Sequence, residues 1–404
     1  MHFDFDEVID RTNTLAMAKE GFRPYLFKGQ APVVLPCPDD EAISMWVADM
    51  AFASAPAARQ AMIDRVQNHP IFGYSGLFGE EFFDAFSAWT RDCYGWSPKR
   101  EHFLASAGVV PALFDLVEHI LKPGEKTVTL TPAYGYFKHA PTYHGHEYLT
   151  SGLVEDADGN YRIDFDDFES KVADPSVGMF FLCHPHNPTG RVWTETELRE
   201  MATLCFDNDV LIVSDEIHCD LRRHGVPHIP LAKLFPDSDQ IITAMSSSKT
   251  FNLAGLGLAT VVIPNDEIRA VWQERNAPTV NPVSVAAATG VYRNGHQWHD
   301  ELRTYLDANM AYISKTLDEQ LPRAVFTIPD ATYLAWINLS AYFEPETNLT
   351  RFFAENAGVI IEGGDMFIDH ADGHIRVNAA CPRSVLTEGL KRIMAAVPVT
   401  VDAL

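Results

Sequence analysis

Five continuous apolar runs in the middle of the chain constrain its fold more than any other feature. They cover residues 127–130, 178–183, 210–214, 241–245 and 258–263. Continuous apolar runs of this length are typical of strands that helices cover on both faces. Stretches with helical periodicity predict such helices at residues 56–67, 80–94, 109–121 and 194–207. The alternation of the two patterns predicts an α/β fold with a mostly parallel sheet covered by helices.

The pattern changes after residue 282. A long helical stretch extends to about residue 320, and residues 333–339 and 374–378 have the pattern of strands in a smaller α+β unit. A chain of 404 residues also exceeds one ordinary domain. We therefore expect a large α/β domain that is followed by a smaller C-terminal domain.

Charge and cysteine content argue against several classes of protein. With 31 basic and 55 acidic residues the formal net charge is −24, which disfavours a basic face for nucleic acid. Six scattered cysteines form no Cys-x-x-Cys pair, and the histidines between residues 184 and 228 fit no common metal site. The first residues are acidic, and no apolar run reaches membrane-spanning length. We expect a cytoplasmic protein without a metal, a nucleic-acid partner or a membrane partner.

One lysine lies among small hydroxyl residues directly after an apolar run. Lys249 follows three serines, and the run before them ends at Met245. A lysine in this position can hold an aldehyde cofactor as an imine. The hydroxyl groups of Ser246 and Ser248 can hydrogen-bond the phosphate of such a cofactor. The segment therefore predicts a covalent cofactor site at Lys249.

Two polar residues upstream each follow a strand-like run. Asp215 ends one run, where a carboxylate can keep the pyridine nitrogen of an aldehyde cofactor protonated. A helix N-cap is the alternative for an aspartate that follows a strand. Asn187 lies in the sequence His-Asn-Pro-Thr-Gly, which by itself predicts a β-turn. A turn is compatible with an additional role at a cofactor.

The order Asn187, Asp215, Lys249 resembles that of pyridoxal-phosphate enzymes of fold type I, the aspartate aminotransferase superfamily. Within it, the chain is similar to the MalY/PatB-like group of cystathionine β-lyases and cysteine-S-conjugate β-lyases. The segments that carry this similarity are residues 45–52, 186–193, 215–218 and 248–252. The resemblance implies pyridoxal 5'-phosphate as the cofactor. It also implies an N-terminal segment at residues 1–50 that packs with the small domain, a large cofactor-binding domain at 51–285 and a small domain at 286–404.

The resemblance gives several residues a role at the cofactor. Gly108, Val109 and Val110, at the start of a predicted helix, would cradle the phosphate with backbone N–H groups. Tyr134 would lie over the face of the pyridine ring, and a core aromatic is the alternative. His218 takes the place of a tyrosine that in many aminotransferases binds the ring hydroxyl. A buried structural histidine is the alternative for that position.

Three residues are implied in substrate binding or in assembly. Arg376 would bind the α-carboxylate of an amino acid through two parallel hydrogen bonds, with a surface ion pair as the alternative. Asn187 would hydrogen-bond the ring hydroxyl beside the substrate. Tyr74 lies in a glycine-flanked loop that in the family reaches the cofactor phosphate of the neighbouring subunit. This resemblance implies a homodimer with shared active sites.

Three places depart from the family pattern. Residues 15–29 stand where a short Lys-Trp-Asp segment is usual, and residues 365–368 stand where a Phe-Gly turn is common. Gly257 takes a position at which many aspartate aminotransferases have an arginine for the phosphate. We expect the first two segments at the substrate entrance and a more neutral phosphate pocket at Gly257.

The resemblance implies a β-elimination. Lys249 would remove the α-proton, the ring opposite Asp215 would accept the electron pair, and a thiol would leave the β-carbon. Tyr134 beside the ring completes the catalytic set. The expected substrate is L-cystathionine or a related S-substituted L-cysteine, and the expected products are pyruvate, ammonia and a thiol. An aminotransferase would use the same residues, and a cofactor-binding regulatory protein is a third alternative.

Overall fold

The computed structural model describes residues 2–75, 79–275, 280–369 and 371–398. Seven strands of this part form a central sheet, in which all strands are parallel except Ala259–Val262. From one edge to the other, the strands are Phe103–Ser106, Ala259–Val262, Ile241–Met245, Leu211–Asp215, Val177–Cys183, Lys126–Thr131 and Tyr148–Gly152. All five predicted runs lie in this sheet. The prediction of a mostly parallel α/β fold is therefore confirmed.

Apolar clusters cover both faces of the central sheet. Along the strand Val177–Cys183, Phe180 and Leu182 pack into one cluster, and Met179 and Phe181 pack into another. Successive side chains of a strand point to opposite faces, so a strand between two apolar layers needs an apolar residue at every position. This is why the sequence runs are continuous.

Helices form the layers on the two faces. Among those of the described ranges, none combines the length and the apolar composition that crossing a bilayer requires. The helices of the described ranges, including those of the C-terminal part, are Met17–Glu20, Phe22–Leu26, Pro56–Asn68, Glu80–Tyr94, Val109–Ile120, Tyr136–Tyr143, Phe165–Val172, Glu195–Asp207, Leu231–Leu234, Ser247–Thr250, Asp266–Arg275, Pro282–Asn294, His296–Gln320, Leu349–Ala357 and Arg383–Ala396. Single turns of 3₁₀-helix lie at Asp39–Glu41, Arg100–His102, Ala254–Leu256 and Gly364–Met366.

The register of the central sheet brings polar residues to one edge. Asp215 pairs with Cys183 on one side and with Ala244 on the other. Asn187 follows the first of these neighbouring strands, and Lys249 follows the second. The carboxyl ends of parallel strands share one edge of a sheet, so the three loops open toward the same space.

The C-terminal part contains a second sheet, which is antiparallel. Its strands are Leu334–Asn338, His374–Asn378 and Glu362–Gly363. Near the N-terminus, Ile43–Ser44 pairs in parallel with Val359–Ile360. Phe367–Ile368 pairs with Ala133–Tyr134, a short strand that comes directly after the central strand Lys126–Thr131. The remaining strand pair is Val154–Glu155 with Tyr161–Arg162. The domain boundaries at residues 50 and 285 stay a prediction.

The long helical stretch predicted from residue 282 to about 320 is divided in the structure. The helices Pro282–Asn294 and His296–Gln320 meet at Gly295. A Cβ atom on Gly295 would lie 2.7 Å from a ring atom of Phe251, which is too close for any side chain there. The contact with Phe251 explains why position 295 is a glycine, and helical periodicity does not contain this information.

Candidate active site

The loops at the carboxyl edge of the central sheet surround a cavity of about 350 Å³. Ser246 and Tyr74 are the predicted site residues that are not among its lining side chains. The predicted residues that line it are Gly108, Val109, Val110, Tyr134, Asn187, Asp215, His218, Ser248, Lys249 and Arg376. The fold thus gathers into one cavity residues that lie far apart in the chain.

Lys249 lies on the short helix that follows the strand Ile241–Met245. Its Nζ donates a hydrogen bond of 2.6 Å to the carbonyl oxygen of Ala48, which also accepts one from the Tyr333 hydroxyl. Burial, with the charge of Arg376 as a second cause, lowers the pKa of Lys249 to about 8. More of this amine is therefore neutral and nucleophilic near neutral pH than in an exposed lysine.

Asp215 is buried at the end of its strand. Its Oδ1 accepts a hydrogen bond of 3.1 Å from the N–H of Ile217, which is the local contact expected of an aspartate after a strand. Burial raises the pKa of Asp215 to about 7, and the Ile217 hydrogen bond and the charge of Lys249 offset only part of this effect. A cation beside the carboxylate would lower the pKa again. The position therefore suits a protonated ring nitrogen.

One helix begins at the wall of the cavity. Gly108 is the N-cap of Val109–Ile120 and has no side chain to bind the first N–H groups of that helix. Gly257 lines the same end in a left-handed conformation, with φ of 58°. The described residues at this end are uncharged, so an anion there would be held by N–H and hydroxyl groups.

The two predicted serines have different positions. Ser248 lines the cavity. Ser246 is buried behind it, where its Oγ donates 2.7 Å to the carbonyl of Leu258 and accepts 3.1 Å from the N–H of Ser248. In this arrangement Ser246 stabilises the loop that presents Ser248 and Lys249.

Asn187, His218 and Tyr134 form the middle of the cavity wall. Asn187 accepts a hydrogen bond of 2.9 Å at Oδ1 from Nη1 of Arg376, which leaves its amide N–H groups for a ligand. Burial, followed by the charges of Lys249 and Arg376, lowers the pKa of His218 to about 3, so this ring is neutral. Its Nδ1 is buried and has no hydrogen-bond partner within the described ranges. Burial raises the pKa of Tyr134, so its hydroxyl also stays neutral.

Arg376 closes the other end of the cavity from the strand His374–Asn378. Its side chain is only 2% exposed, so the alternative of a surface ion pair does not apply. Nη2 donates 3.0 Å to the carbonyl of Trp46 and also binds the carboxylate of Glu362. The Cζ atom lies 5.1 Å from the ring centroid of Phe367. Arg376 is thus held by a carbonyl, a carboxylate and an aromatic face.

Several cavity residues were not singled out in the sequence. Met17 and Tyr25 come from segment 15–29, which was expected at the substrate entrance because it departs from the family pattern. Glu362 and Tyr136 also line the cavity, but no motif or departure from the family pattern in the sequence indicated them. The motif at residues 45–52 contributes mainly through its backbone, since carbonyl oxygens of that motif accept hydrogen bonds from Lys249 and Arg376.

Tyr74 does not reach the cavity of its own chain. It is fully exposed, and it lies beside Phe72 in a separate shallow pocket. Gly76, at the end of the predicted glycine-flanked loop, lies outside the described residues. Within a single chain, Tyr74 therefore takes no part in the site.

The wall of the cavity fits one kind of ligand. An aldehyde would meet Lys249, a phosphate would meet the uncapped helix at Gly108, and a basic ring nitrogen would meet Asp215. A ring hydroxyl would lie near the free amide hydrogens of Asn187 and the free nitrogen of His218. These groups together are those of pyridoxal 5'-phosphate.

Residues 41–393 match the model of the family Aminotransferase class I and II. The chain belongs to this family. It is 38% identical over 361 residues to cystathionine β-lyase PatB of Bacillus subtilis. The aligned residues cover 88% of this chain and 92% of PatB. It is 30% identical over 402 residues to protein MalY of Escherichia coli, with 98% of this chain and 99% of MalY covered. The resemblance to the MalY/PatB-like group is therefore confirmed.

A solved structure of the family gives the same result. The PLP-bound C-S lyase of Staphylococcus hominis, in complex with L-cycloserine, is similar with a TM-score of 0.94 and 43% identity. The similarity covers 98% of both chains. This chain thus shares the predicted fold type I architecture with that lyase over nearly its whole length.

Proposed function

We propose that this chain is a carbon–sulfur β-lyase that uses pyridoxal 5'-phosphate. It cleaves L-cystathionine or a related S-substituted L-cysteine to pyruvate, ammonia and a thiol. The observation that carries the proposal is that one cavity contains both a buried lysine of lowered pKa, Lys249, and a buried arginine, Arg376. The relatives named cystathionine β-lyase and C-S lyase support this class of reaction.

When bound, the cofactor accepts the electron pair that is released at the α-carbon of the substrate. Residues 108–110 and Ser248, which line the cavity, would hold its phosphate, and Asp215 would pair with its ring nitrogen. Tyr134 would pack against the ring. His218 stays neutral because of burial, so it offers one donor and one acceptor nitrogen without adding charge.

Lys249 acts as the base for the α-proton. Its amine is neutral in a large fraction of molecules near pH 8, so it can accept a proton at Nζ without a further partner. Arg376 orients the substrate by its α-carboxylate, and Asn187 is held in place by Nη1 of the same arginine. These contacts fix the Cα–H bond toward Lys249.

The experiment that tests this function separates elimination from transfer. The holoenzyme is incubated with L-cystathionine and with S-methyl-L-cysteine, without any 2-oxo acid, and pyruvate, ammonia and thiol are measured. We expect many turnovers and equal amounts of the three products. Arrest after a single turnover that is relieved by a 2-oxo acid, across all such substrates, would establish an aminotransferase instead.

We also propose a homodimer in which Tyr74 enters the site of the neighbouring chain. Large apolar side chains are exposed in the single chain along residues 63–74, the stretch that ends at Tyr74. They are Ile63, Val66, Ile71 and Phe72. Such clustered apolar exposure is typical of a surface that another chain covers. A second copy would bury this surface and supply Tyr74 to a cavity that does not receive it from its own chain.

Mixing two inactive variants tests the shared site. Lys249→Ala protein and Tyr74→Ala protein are unfolded, mixed and refolded together, and pyruvate formation is measured. A mixed dimer contains one site without either change, so part of the activity should return. Each variant refolded alone is the control. A fully active monomer in sedimentation at assay concentration contradicts this proposal.

A further inference from the structure

Glu362 lies directly opposite Arg376 in the antiparallel sheet of the C-terminal part. The strand register pairs the two residues, and both side chains line the cavity. Their ion pair is buried, with side-chain exposures of 9% and 2%. The position of Glu362 is thus fixed by backbone pairing, and its carboxylate is held where an anionic ligand of Arg376 would lie.

The hydrogen bonds of Arg376 leave no free edge for a second carboxylate. A guanidinium can offer two parallel N–H groups from Nη1 and Nη2 or from Nε and Nη2, and both edges include Nη2. The two hydrogens of Nη2 are used by the carbonyl of Trp46 and by Glu362. Bidentate binding of a substrate carboxylate therefore requires that one of them leaves, and Glu362 is the side chain that can rotate.

The groups around Glu362 favour its neutral form once Arg376 also binds a substrate carboxylate. Burial raises the pKa of this carboxyl, while Arg376 and then Lys249 oppose the rise and Asp365 adds to it. Tyr25, from the N-terminal segment, and Tyr134, from the short strand after Lys126–Thr131, also face it, each with a pKa raised by burial. On the helix that packs against its strand, the charged residues Arg351 and Glu355 bind each other.

We propose that Glu362 determines specificity at the carboxylate end of the cavity. It releases Nη2 of Arg376 and takes one proton from solvent when a substrate carboxylate binds. The carboxylate becomes a carboxylic acid, no other covalent bond changes, and Arg376 keeps its charge and pairs with the substrate carboxylate instead. This inference rests on the proposed role of Arg376. It predicts that each anionic substrate binds together with one proton.

The proton sets the direction of the pH effect. Above the pKa of Glu362 in the ligand-free protein, the proton must be taken up, so affinity for a free carboxylate falls as pH rises. An amino acid amide carries no charge at this position and needs no displacement of Glu362. The site therefore discriminates less between acid and amide than an unpaired arginine would.

Binding of L-alanine and L-alaninamide to the holoenzyme tests the proposal, because neither ligand has a leaving group on the β-carbon. Affinities are measured by calorimetry for the wild type and for Glu362→Gln. We expect Glu362→Gln to raise the preference for L-alanine over the amide by about tenfold or more. In buffers of different ionisation enthalpy, the wild type should take up one more proton per alanine than Glu362→Gln does, because the protons of the substrate amine and of Lys249 are common to both proteins.

Two further variants keep the test decisive. Glu155→Gln removes a carboxylate that binds His374, at the far end of the strand that carries Arg376 and away from the cavity. It should leave the preference unchanged. Glu362→Asp retains a carboxylate and should retain the proton uptake. Equal weakening of both ligands by Glu362→Gln, or the same proton uptake per alanine in this variant and in the wild type, would overturn the proposal. Because no elimination is involved, failure of the lyase reaction would leave this result intact.

Discussion

The two ends of the cavity differ in which groups bind their charged side chains. At the cofactor end, Asp215 accepts a backbone N–H and Lys249 donates to a backbone carbonyl. At the substrate end, Arg376 and Glu362 form an ion pair that the strand register fixes. The first end contains opposite charges whose partners are neutral groups, and the second contains charges that neutralise each other.

This difference teaches what each end requires of a ligand. Burial moves the pKa of Asp215 up to about 7 and that of Lys249 down to about 8, so both groups are close to losing their charges. A ligand that supplies a cation to one and a carbonyl carbon to the other removes this cost. At the other end, Glu362 already neutralises the charge of Arg376, so the substrate binding that we propose there exchanges one carboxylate for another.

Removal of Lys249 should have the largest effect. In Lys249→Ala we expect the rate of pyruvate formation to fall by roughly 10⁴-fold, because the base for the α-proton is lost. Lys233→Ala is a matched control, since its Nζ also donates to a backbone carbonyl, 2.7 Å away at Tyr94, but outside the cavity. A loss of similar size in the control would show a general effect of removing a hydrogen bond from a lysine to a backbone carbonyl.

Asp215→Asn should have the next largest effect. The amide cannot stabilise a protonated ring nitrogen, so we expect kcat to fall by roughly 10²- to 10³-fold while the cofactor stays bound. Steady-state rates and the absorbance of the bound cofactor measure the two quantities. Near-normal turnover would mean that Asp215 serves only the N–H of Ile217.

Arg376→Ala should affect the other end of the cavity. Loss of charge-assisted hydrogen bonds to the substrate should raise KM by roughly 10²-fold, with a smaller change in kcat. The variant also leaves Glu362 buried without its cation, so thermal unfolding is measured in parallel. An unchanged KM in a stable variant would remove Arg376 from substrate binding.

The smallest expected effect is a pH dependence of cofactor incorporation. The pKa of Lys249 is lowered, so the amine is protonated below about pH 8 and neutral above it. The rate at which cofactor-free protein takes up pyridoxal 5'-phosphate should rise with pH and level off just above 8. In an exposed lysine the rise would continue toward about 10.4. A rise that continues past pH 9 would contradict the burial effect on Lys249.

The cofactor end could be predicted from the sequence because parallel strands bring their carboxyl ends together. Asn187, Asp215 and Lys249 each follow an apolar run, so their proximity depends only on the sheet. The family resemblance then gave each residue a role. The continuous apolar runs likewise predicted five of the strands in the central sheet.

The Arg376 end could be predicted only in part. Arg376 itself stands in a recognisable motif, but its contact with Glu362 depends on the register of two short strands in the C-terminal part. No local pattern specifies that register. The cavity position of Tyr25 likewise depends on a ring contact of 5.1 Å with Trp46. Tyr74 differs again, because the position proposed for it requires a second chain.

The pairing of Phe367–Ile368 with Ala133–Tyr134 has a consequence for how the cavity changes among homologous chains. The segment 365–368 cannot be exchanged alone, since its backbone hydrogen-bonds the strand of Tyr134 and its Phe367 ring lies against Arg376. Grafting that loop from a relative would move both walls at once. We therefore expect substitutions at residue 367 to be inherited together with substitutions at residues 133 and 134, so that substrate preference in this lineage changes by pairs of mutations.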